Sequence, residues 1–284
     1  MTRVAFLGAG LIGTAFAAAE RERGSDVIVW NRTPKKLESL AAKGIAVSTD
    51  LGAVVHHAER IHLALAADDA VDAVCMQMLE HAKPTGPVVD HSTTSPAGTK
   101  ARAERLAAAG VRFFHAPVFM SPKACRDGTG CMLGAGPTDL ASELAPVLAR
   151  MTGDFWYLGE VAEAAAVMKL FGNAILIGIS GAMADAFAVA KAGGVEPSRA
   201  FELFSHFDPG PSMKARGGRM AAGDFATSFA LAMARKDVGL MVEAAAGAPL
   251  AVLPGIAGRM EGLLAEGQGE RDLAVLACAS CGRT

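Results

Sequence analysis

The sequence has little of what disulfide-stabilised or metal-binding proteins need. Its 284 residues include five cysteines with no repeated spacing and seven scattered histidines. A disulfide framework needs an even set of cysteines, so this pattern argues against one. Cys278 and Cys281 form a lone CxxC without the second pair that a structural zinc site requires. We therefore expect no metal site.

A charge excess is also absent. The net charge is -2, with 20% charged and 51% hydrophobic residues, which is ordinary for a globular protein and gives no electrostatic reason to bind nucleic acid. The uncharged stretch Leu170–Ala184 is only fifteen residues long, too short to span a bilayer. Met1–Ala19 could be mistaken for a signal peptide, but we reject this interpretation because the glycines in it form a motif typical of a folded domain. We expect a cytoplasmic protein without a membrane or nucleic-acid partner.

That uncharged stretch belongs to a predicted long helix, Val161–Ala192, with one early cation, Lys169. Asn173 follows four residues later, so both side chains share a helix face. A helix this apolar all round is predicted to be buried. Burial would lower the pKa of Lys169 and suit it to proton transfer, unless its ammonium reaches solvent at the helix start. Three glycines inside the helix predict close backbone packing: Gly172, Gly178 and Gly181.

A glycine motif follows the first predicted strand. The apolar run Arg3–Leu7 leads into Gly8, Ala9, Gly10, Leu11, Ile12 and Gly13, and a helical stretch then begins. Strand, GxGxxG and helix in this order predict a dinucleotide site. The first glycine makes the turn, the second admits a pyrophosphate and the third lets helix and strand pack closely. The free N–H groups of the helix start then meet the phosphate charge.

The end of the second strand predicts which dinucleotide binds. Where NAD-preferring sites usually carry an acidic residue, this chain has neutral Asn31, followed by Arg32 and Thr33. A guanidinium can bind a 2′-phosphate with two parallel hydrogen bonds, and Thr33 adds a hydroxyl. We therefore predict NADP as the cofactor, the alternative being a solvated arginine in a loop.

Strands and helices alternate up to residue 160, and beyond it only helices are predicted. This pattern indicates an α/β protein: a Rossmann-type doubly wound parallel sheet followed by an all-helical C-terminal domain. We assign 1–160 to NADP binding and 161–284 to a substrate and dimerisation domain. Ligands of such sheets lie beyond the carboxyl ends of the strands, which here carry Leu65 and Ala66, His91 to Thr94, and the loop from Ala116 to Pro122. Ser92 and Thr93 are candidate polar contacts, although they could also cap the next helix.

Five motifs in order resemble the β-hydroxyacid dehydrogenase family, which includes 3-hydroxyisobutyrate dehydrogenase and the glyoxylate/succinic semialdehyde reductases. They are Phe6–Gly13, Asp90–Pro96, Ala116–Val118, Met168–Leu170 with Asn173, and Lys236–Leu240, supported by Gly223–Phe225. The resemblance implies that Lys169 is the catalytic acid/base and that Asn173 orients it or the substrate. It also places Thr93, Lys236, Leu65 and Ala66 at the cofactor. Dimers or tetramers built through the helical half are implied as well.

The substrate loop departs from this family. Where its members usually have Ser-Gly-Gly to hold a substrate carboxylate, this chain has Phe119, Met120 and Ser121, followed by Pro122, which lacks an N–H donor. The substrate is therefore expected to be larger, more apolar or held differently.

The leading hypothesis is hydride transfer between NADP(H) and a small hydroxy acid, semialdehyde or keto acid, with Lys169 as acid/base. Ser92, Phe119, Met120, Ser121, Lys169 and Asn173 are the expected substrate contacts. One alternative is an NADPH-dependent imine reductase, favoured by the apolar Phe119–Met120 pair and disfavoured by Lys169. The other is a dinucleotide-binding protein without turnover. The longer helical half of 6-phosphogluconate dehydrogenases makes them a poorer match.

Overall fold

The chain forms two compact units, and the boundary between them falls inside one long helix. The structure, a computed structural model, describes residues 1–281; the last three residues of the predicted second domain, 282–284, lie outside the described residues. The first unit is Met1–Asn173, and the second begins at Ala174. The helix that contains the boundary is Glu163–Ala192.

Six parallel strands form the main sheet of the first unit: β1 (Arg3–Leu7), β2 (Asp26–Trp30), β3 (Ala46–Ser48), β4 (Arg60–Leu63), β5 (Val88–Asp90) and β6 (Phe113–His115). Their order in the sheet is β3-β2-β1-β4-β5-β6. The helices between them are α1 (Leu11–Glu22), α2 (Glu38–Ala41), α3 (Leu51–His57), α4 (Asp68–His81) and α5 (Pro96–Ala108), with a 3-10 turn at Pro34–Leu37 before α2. The strand order reverses between β1 and β4, where such sheets bind ligands. The predicted doubly wound sheet is confirmed.

Both faces of this sheet are buried, which explains the apolar strands. Along β1, Val4 and Phe6 belong to one hydrophobic cluster, whereas Ala5 and Leu7 belong to another. Successive side chains of a strand point to opposite faces, so each strand serves both clusters. The sheet is therefore covered on both sides, as parallel sheets require.

A second, three-stranded sheet in the same unit was not predicted as such. Its strands β7 (Val118–Phe119), β8 (Cys131–Gly134) and β9 (Asp154–Tyr157) pair antiparallel between β7 and β8 and parallel between β8 and β9. Helices α6 (Pro122–Asp127) and α7 (Thr138–Thr152) lie between these strands in sequence. The sequence predicts β9 and α7, but a two-residue strand such as β7 is too short to show a period.

Helices make up the rest of the chain, as predicted. They are α8 (Glu163–Ala192), α9 (Pro197–Phe201), α10 (Gly210–Ala222), α11 (Leu231–Ala244) and α12 (Leu253–Ala265), with 3-10 turns at Glu202–Ser205 and Leu273–Ala277. A carboxylate of α8 binds the start of α12. Asp185 accepts hydrogen bonds from the backbone N–H groups of Ala251, Val252 and Leu253 at 2.6–2.9 Å.

The predicted burial of α8 is wrong for the single chain. Only Lys169 and Asp185, together with small residues near the helix start, are buried along it, and most of its large apolar side chains between residues 167 and 179 are exposed. The glycine prediction holds at Gly172 and Gly181, where a Cβ would meet Phe119 and Val252, but not at Gly178, where nothing lies within 4 Å. Among the described residues, α8 is also the helix long and apolar enough to cross a membrane, by length and composition only. Apolar composition predicts that a helix is covered, but it does not distinguish cover within the same chain from cover by a second copy, which the oligomers implied by the resemblance would supply.

Candidate active site

The glycine loop, Gly8–Gly13, runs from the end of β1 into the first turn of α1, and two of its glycines have no room for a side chain. Gly8 has a φ of +116°, and a Cβ there would lie 2.3 Å from the carbonyl oxygen of Ala64. A Cβ on Gly13 would lie 2.1 Å from the carbonyl oxygen of Gly8. These two glycines therefore serve the turn and the contact between helix and strand, as the motif predicts.

Gly10 differs, because a Cβ on it would meet nothing within 4 Å. It is the N-cap residue of α1, and no side chain caps this helix start. The N–H groups of the first turn are therefore available to a ligand, and the helix dipole favours an anion there. The space in front of Gly10 and the uncapped helix start fit a pyrophosphate.

Asn31 holds this loop in place. Its Oδ1 accepts a hydrogen bond from the N–H of Ala9 at 3.2 Å, and its Nδ2 donates to the carbonyl oxygen of Thr33 at 3.1 Å. Asn31 is 9% exposed, whereas Arg32 and Lys36 of the following turn are exposed. The amide is thus used within the protein, and the two cations remain free to meet a ligand charge.

An open cleft of about 740 Å³ lies along the carboxyl ends of the strands. This volume is within the usual range of small-molecule and cofactor sites. The cleft brings together Gly8, Gly10, Leu11, Ile12, Gly13, Asn31, Arg32, Thr33, Leu65, Ala66, Ser92, Thr93, Met120 and Lys169 from the predicted site residues. Ala9, Phe119, Ser121 and Asn173 are not among its lining residues, and Lys236 lies in the second unit.

Several lining residues were not predicted from the sequence, including Trp30, Lys36, Asp69 and Gln77. Lys36 could have been found, because it follows Arg32 by four residues, in the 3-10 turn Pro34–Leu37, and carries the same charge. Asp69 and Gln77 lie on α4, where no local motif marks them.

Lys169 lines the cleft from the second turn of α8 and is 8% exposed. Its Nζ lies 3.9 Å from the centre of the Phe119 ring. Burial lowers its pKa below the usual range of lysine, because the charged form loses hydration. A buried ammonium with a lowered pKa is suited to donate a proton into this cleft.

Two hydroxyl residues at the end of β5 have different tasks. Ser92 is buried; its Oγ accepts from the N–H of Leu65 at 3.0 Å, and its own N–H donates to Asp90 Oδ1 at 2.9 Å. Thr93 is exposed and faces the cleft. Ser92 therefore ties two strand ends together, whereas the hydroxyl of Thr93 remains available to a ligand.

A chain of buried hydrogen bonds crosses the sheet behind these residues. Arg60 Nε donates to His62 Nε2 at 2.8 Å, His62 Nδ1 lies 2.8 Å from His91 Nε2, and His91 Nδ1 lies 2.7 Å from the carbonyl oxygen of Ala116. Since that carbonyl can only accept, His91 Nδ1 carries a proton, and so does His62 Nδ1. Burial lowers the pKa of His91 to about 4 and that of His62 well below its usual value. Both imidazoles are neutral near pH 7, which makes this a structural chain.

Family profiles match both parts of the chain. The NAD binding domain of 6-phosphogluconate dehydrogenase matches residues 3–159, and the NAD-binding domain of NADP-dependent 3-hydroxyisobutyrate dehydrogenase matches residues 164–278. The chain belongs to the β-hydroxyacid dehydrogenase family. As a member of this oxidoreductase family, it binds a nicotinamide dinucleotide.

Relatives in this family support the assignment. Glyoxylate/succinic semialdehyde reductase 2 of Arabidopsis thaliana is 30% identical over 242 residues, which are 84% of this chain and 67% of that protein. The 3-hydroxyisobutyrate dehydrogenase of Pseudomonas aeruginosa is 26% identical over 253 residues, or 84% of each chain.

Solved structures share the fold. An imine reductase from Pseudomonas sp. has a TM-score of 0.90 at 20% identity and covers 98% of this chain and 99% of that chain. A reductive aminase from Aspergillus terreus in complex with NADPH and ethyl levulinate has a TM-score of 0.86 at 21% identity, with 99% of each chain covered. At these identities the likeness shows the fold alone.

Proposed function

We propose that this member of the β-hydroxyacid dehydrogenase family is an NADP-dependent reductase of small aldehydes and keto acids, with Lys169 as proton donor. The observation that carries the proposal is the position of Lys169, a buried cation that lines the cleft of the glycine loop. Two relatives, named for glyoxylate/succinic semialdehyde reduction and 3-hydroxyisobutyrate oxidation, indicate the substrate class.

Different residues of the cleft would bind the cofactor and transfer the proton. The glycine loop and the start of α1 would hold the pyrophosphate, and the loop after β2 the adenosine ribose. When bound, the nicotinamide supplies the hydride of a reduction. As negative charge grows on the carbonyl oxygen, Lys169 Nζ donates its proton to that oxygen; in oxidation the neutral amine takes the proton from the hydroxyl. A cation placed where charge develops stabilises the transition state more than the ground state.

We infer that NADP is the preferred cofactor. Support comes from the two exposed cations, Arg32 and Lys36, that line the cleft beside Thr33. The residue at the position of the usual acidic group, Asn31, has no charge that would repel a phosphate.

The proposal is tested by NADPH oxidation with glyoxylate, succinic semialdehyde, their neutral analogues and a cyclic imine. Lys169→Met should lower kcat by about 10²–10⁴-fold with the best carbonyl substrate while NADPH still binds. Lys191→Met is the matched control, because Lys191 is an exposed lysine at the far end of the same helix. Near-normal turnover by Lys169→Met would remove Lys169 from the mechanism.

Imine reduction is the second candidate. The apolar Met120 in the cleft favours it, whereas an ammonium at Lys169 would repel a cationic iminium substrate. Faster NADPH oxidation with the cyclic imine than with every carbonyl compound would decide for it. Tight NADPH binding without oxidation across the panel would instead indicate a non-catalytic dinucleotide-binding protein.

We also propose that the protein is a homodimer in which a second copy covers the exposed face of α8. Soluble monomers rarely expose large apolar patches. A membrane fits poorly, because the fifteen uncharged residues between Lys169 and Asp185 span only about 22 Å of a hydrocarbon core of about 30 Å. The exposed apolar side chains are distributed around the helix and are those of Val167, Leu170, Phe171, Ile175, Leu176, Ile177 and Ile179, each at least 41% exposed.

A further inference from the structure

A ring from the three-stranded sheet occupies the space of a missing side chain on α8. Lys169 and Gly172 are three residues apart and therefore share one face of the helix. A Cβ on Gly172 would lie 2.2 Å from Cζ and 2.7 Å from Cε1 of Phe119. Only glycine at this position lets the Phe119 ring lie against the helix backbone.

In this position the Phe119 ring also lies against the ammonium group of Lys169. Nζ of Lys169 lies 3.9 Å from the ring centre, within the range of a cation–π interaction. Within residues 1–281, the structure gives Lys169 no hydrogen bond and no ion pair, although the side chain is 8% exposed. A largely buried lysine without a carboxylate partner is stabilised in its charge and its position by such a contact.

Backbone pairing and side-chain packing together fix the position of the Phe119 ring. The backbone of Phe119 is paired with Cys131 in the sheet, which fixes where the side chain starts. The ring packs in a hydrophobic cluster with Leu133, Ala165 and Met168. Since a phenylalanine side chain has two rotatable bonds, these contacts leave its ring little freedom.

We propose that Phe119 is a positioning residue for Lys169: its ring, placed in the gap at Gly172, holds the ammonium at the cleft wall and favours its protonated form. This inference rests on the proposed role of Lys169 as proton donor. It gives the phenylalanine of the unusual loop a task other than substrate contact, consistent with its absence from the cleft lining.

Other titratable groups near Lys169 do not account for its charge state. Arg32, Lys36, Asp69 and His91 also line the cleft, and the pKa of His91 is about 4, so it stays neutral at higher pH. Cys131, packed in the same cluster as the ring, has a pKa raised by burial and by Asp154. The lowered pKa of Lys169 has burial as its cause, and the ring opposes that effect.

The first test is the pH profile of kcat/KM for carbonyl reduction. The rate should fall at alkaline pH as Lys169 loses the proton it donates. Phe119→Leu removes the π face at similar size and should move this alkaline limb to lower pH by about one unit. Phe155→Leu, the same substitution in strand β9 of the same sheet, should leave the limb in place, because Phe155 contacts Phe114 rather than Lys169. An unmoved limb in Phe119→Leu overturns the proposal.

The second test uses the gap itself. Alanine favours a helix more than glycine does, so a lower kcat/KM at alkaline pH in Gly172→Ala must come from displacement of the Phe119 ring. It should move the alkaline limb in the parent protein and have little further effect in Phe119→Leu, whose side chain no longer fills the gap. Equal effects in both backgrounds would show that the ring and the gap act independently and would contradict the proposal.

A direct titration separates this proposal from the proposed function. NMR of lysine labelled with ¹³C at Cε reports the pKa of Lys169 without any substrate, and the signal is assigned by its loss in Lys169→Met. The signal should titrate at lower pH in Phe119→Leu than in the parent. If it does while no carbonyl is reduced, only the proposed function fails. If carbonyl reduction depends on Lys169 but the titration is unchanged, the role of Phe119 is wrong.

Discussion

Gly10 and Gly13 belong to the same motif but meet different surroundings. A Cβ on Gly13 would overlap the carbonyl oxygen of Gly8, whereas a Cβ on Gly10 would enter open space. The φ of Gly10 is -78°, which alanine also adopts. Gly13 is therefore needed by the fold, and Gly10 only by the ligand that approaches it.

We predict that Gly13→Ala lowers the unfolding temperature, whereas Gly10→Ala keeps it and weakens NADPH binding at least tenfold. The extra methyl group at residue 10 would stand where the pyrophosphate has to approach the backbone. Thermal unfolding without ligand and NADPH fluorescence titration measure the two effects. Unchanged NADPH affinity in Gly10→Ala would show that the phosphate does not approach this loop.

Cofactor preference is predicted to depend on two cations that follow β2, Arg32 and Lys36. Arg32→Ala and Lys36→Ala should each raise the Kd for NADPH by roughly 10- to 100-fold, because a hydrogen bond to a charged group is worth about 1.5–3 kcal/mol. The Kd for NADH should change little, since NADH lacks the 2′-phosphate. Lys35→Ala is the control, because this neighbouring lysine is absent from the cleft lining. Equal loss of NADH and NADPH binding would assign the two cations a structural role.

Across elements, the hydrogen-bonded histidines tie three neighbouring strands together. His62 lies on β4, His91 follows β5, and Ala116 follows β6. The rings of His62 and His91 are stacked, with centres 5.1 Å apart, and Phe6 stacks on His62. Adding a proton to either ring would place a second positive charge close to the buried Arg60 guanidinium, and a doubly protonated ring has no nitrogen left to accept its hydrogen bond.

This arrangement predicts a loss of stability in acid. Both imidazoles have folded-state pKa values below the value of about 6.5 expected in the unfolded chain. The unfolded state therefore binds protons first as the pH falls below about 6.5, and stability is lost progressively until about pH 4, where His91 is protonated in the folded state.

The measurement is the unfolding temperature between pH 7 and pH 4. His62→Gln keeps a donor and an acceptor but cannot titrate in this range, so its curve should fall less steeply than that of the parent. His81→Gln, which changes an exposed histidine of α4, should follow the parent curve. Parallel curves for all three proteins would contradict this explanation.

How far the sequence predicted these elements depends on how local their causes are. The β–α alternation depends on short segments of sequence and is confirmed, and the glycine motif and Arg32, which also lie in short segments, line the cleft. The ring of Phe119 against Gly172 joins residues 53 positions apart, and no short segment of sequence records this contact. The histidine chain joins residues 29 and 25 positions apart, so no short segment of sequence predicts it either.

At the scale of the whole molecule, the main discrepancy is the exposure of α8. Composition predicts that a helix with this many apolar residues is covered, but it does not say by what. Within the single chain, Phe171 is 65% and Ile177 is 72% exposed. The conflict between an apolar sequence and an exposed surface is resolved when a second copy covers the helix, as proposed above.

We predict that the protein is a dimer and that Ile177→Glu makes it a monomer. In a twofold interface the same face meets itself, so one substitution places two carboxylates in one apolar contact. Light scattering after gel filtration should give twice the chain mass for the parent and one chain mass for Ile177→Glu. Met76→Glu, which changes an exposed apolar residue of α4, should stay dimeric. A parent of one chain mass would reject the interface, and a parent of four chain masses that Ile177→Glu reduces to two would place α8 in one of two interfaces of a tetramer.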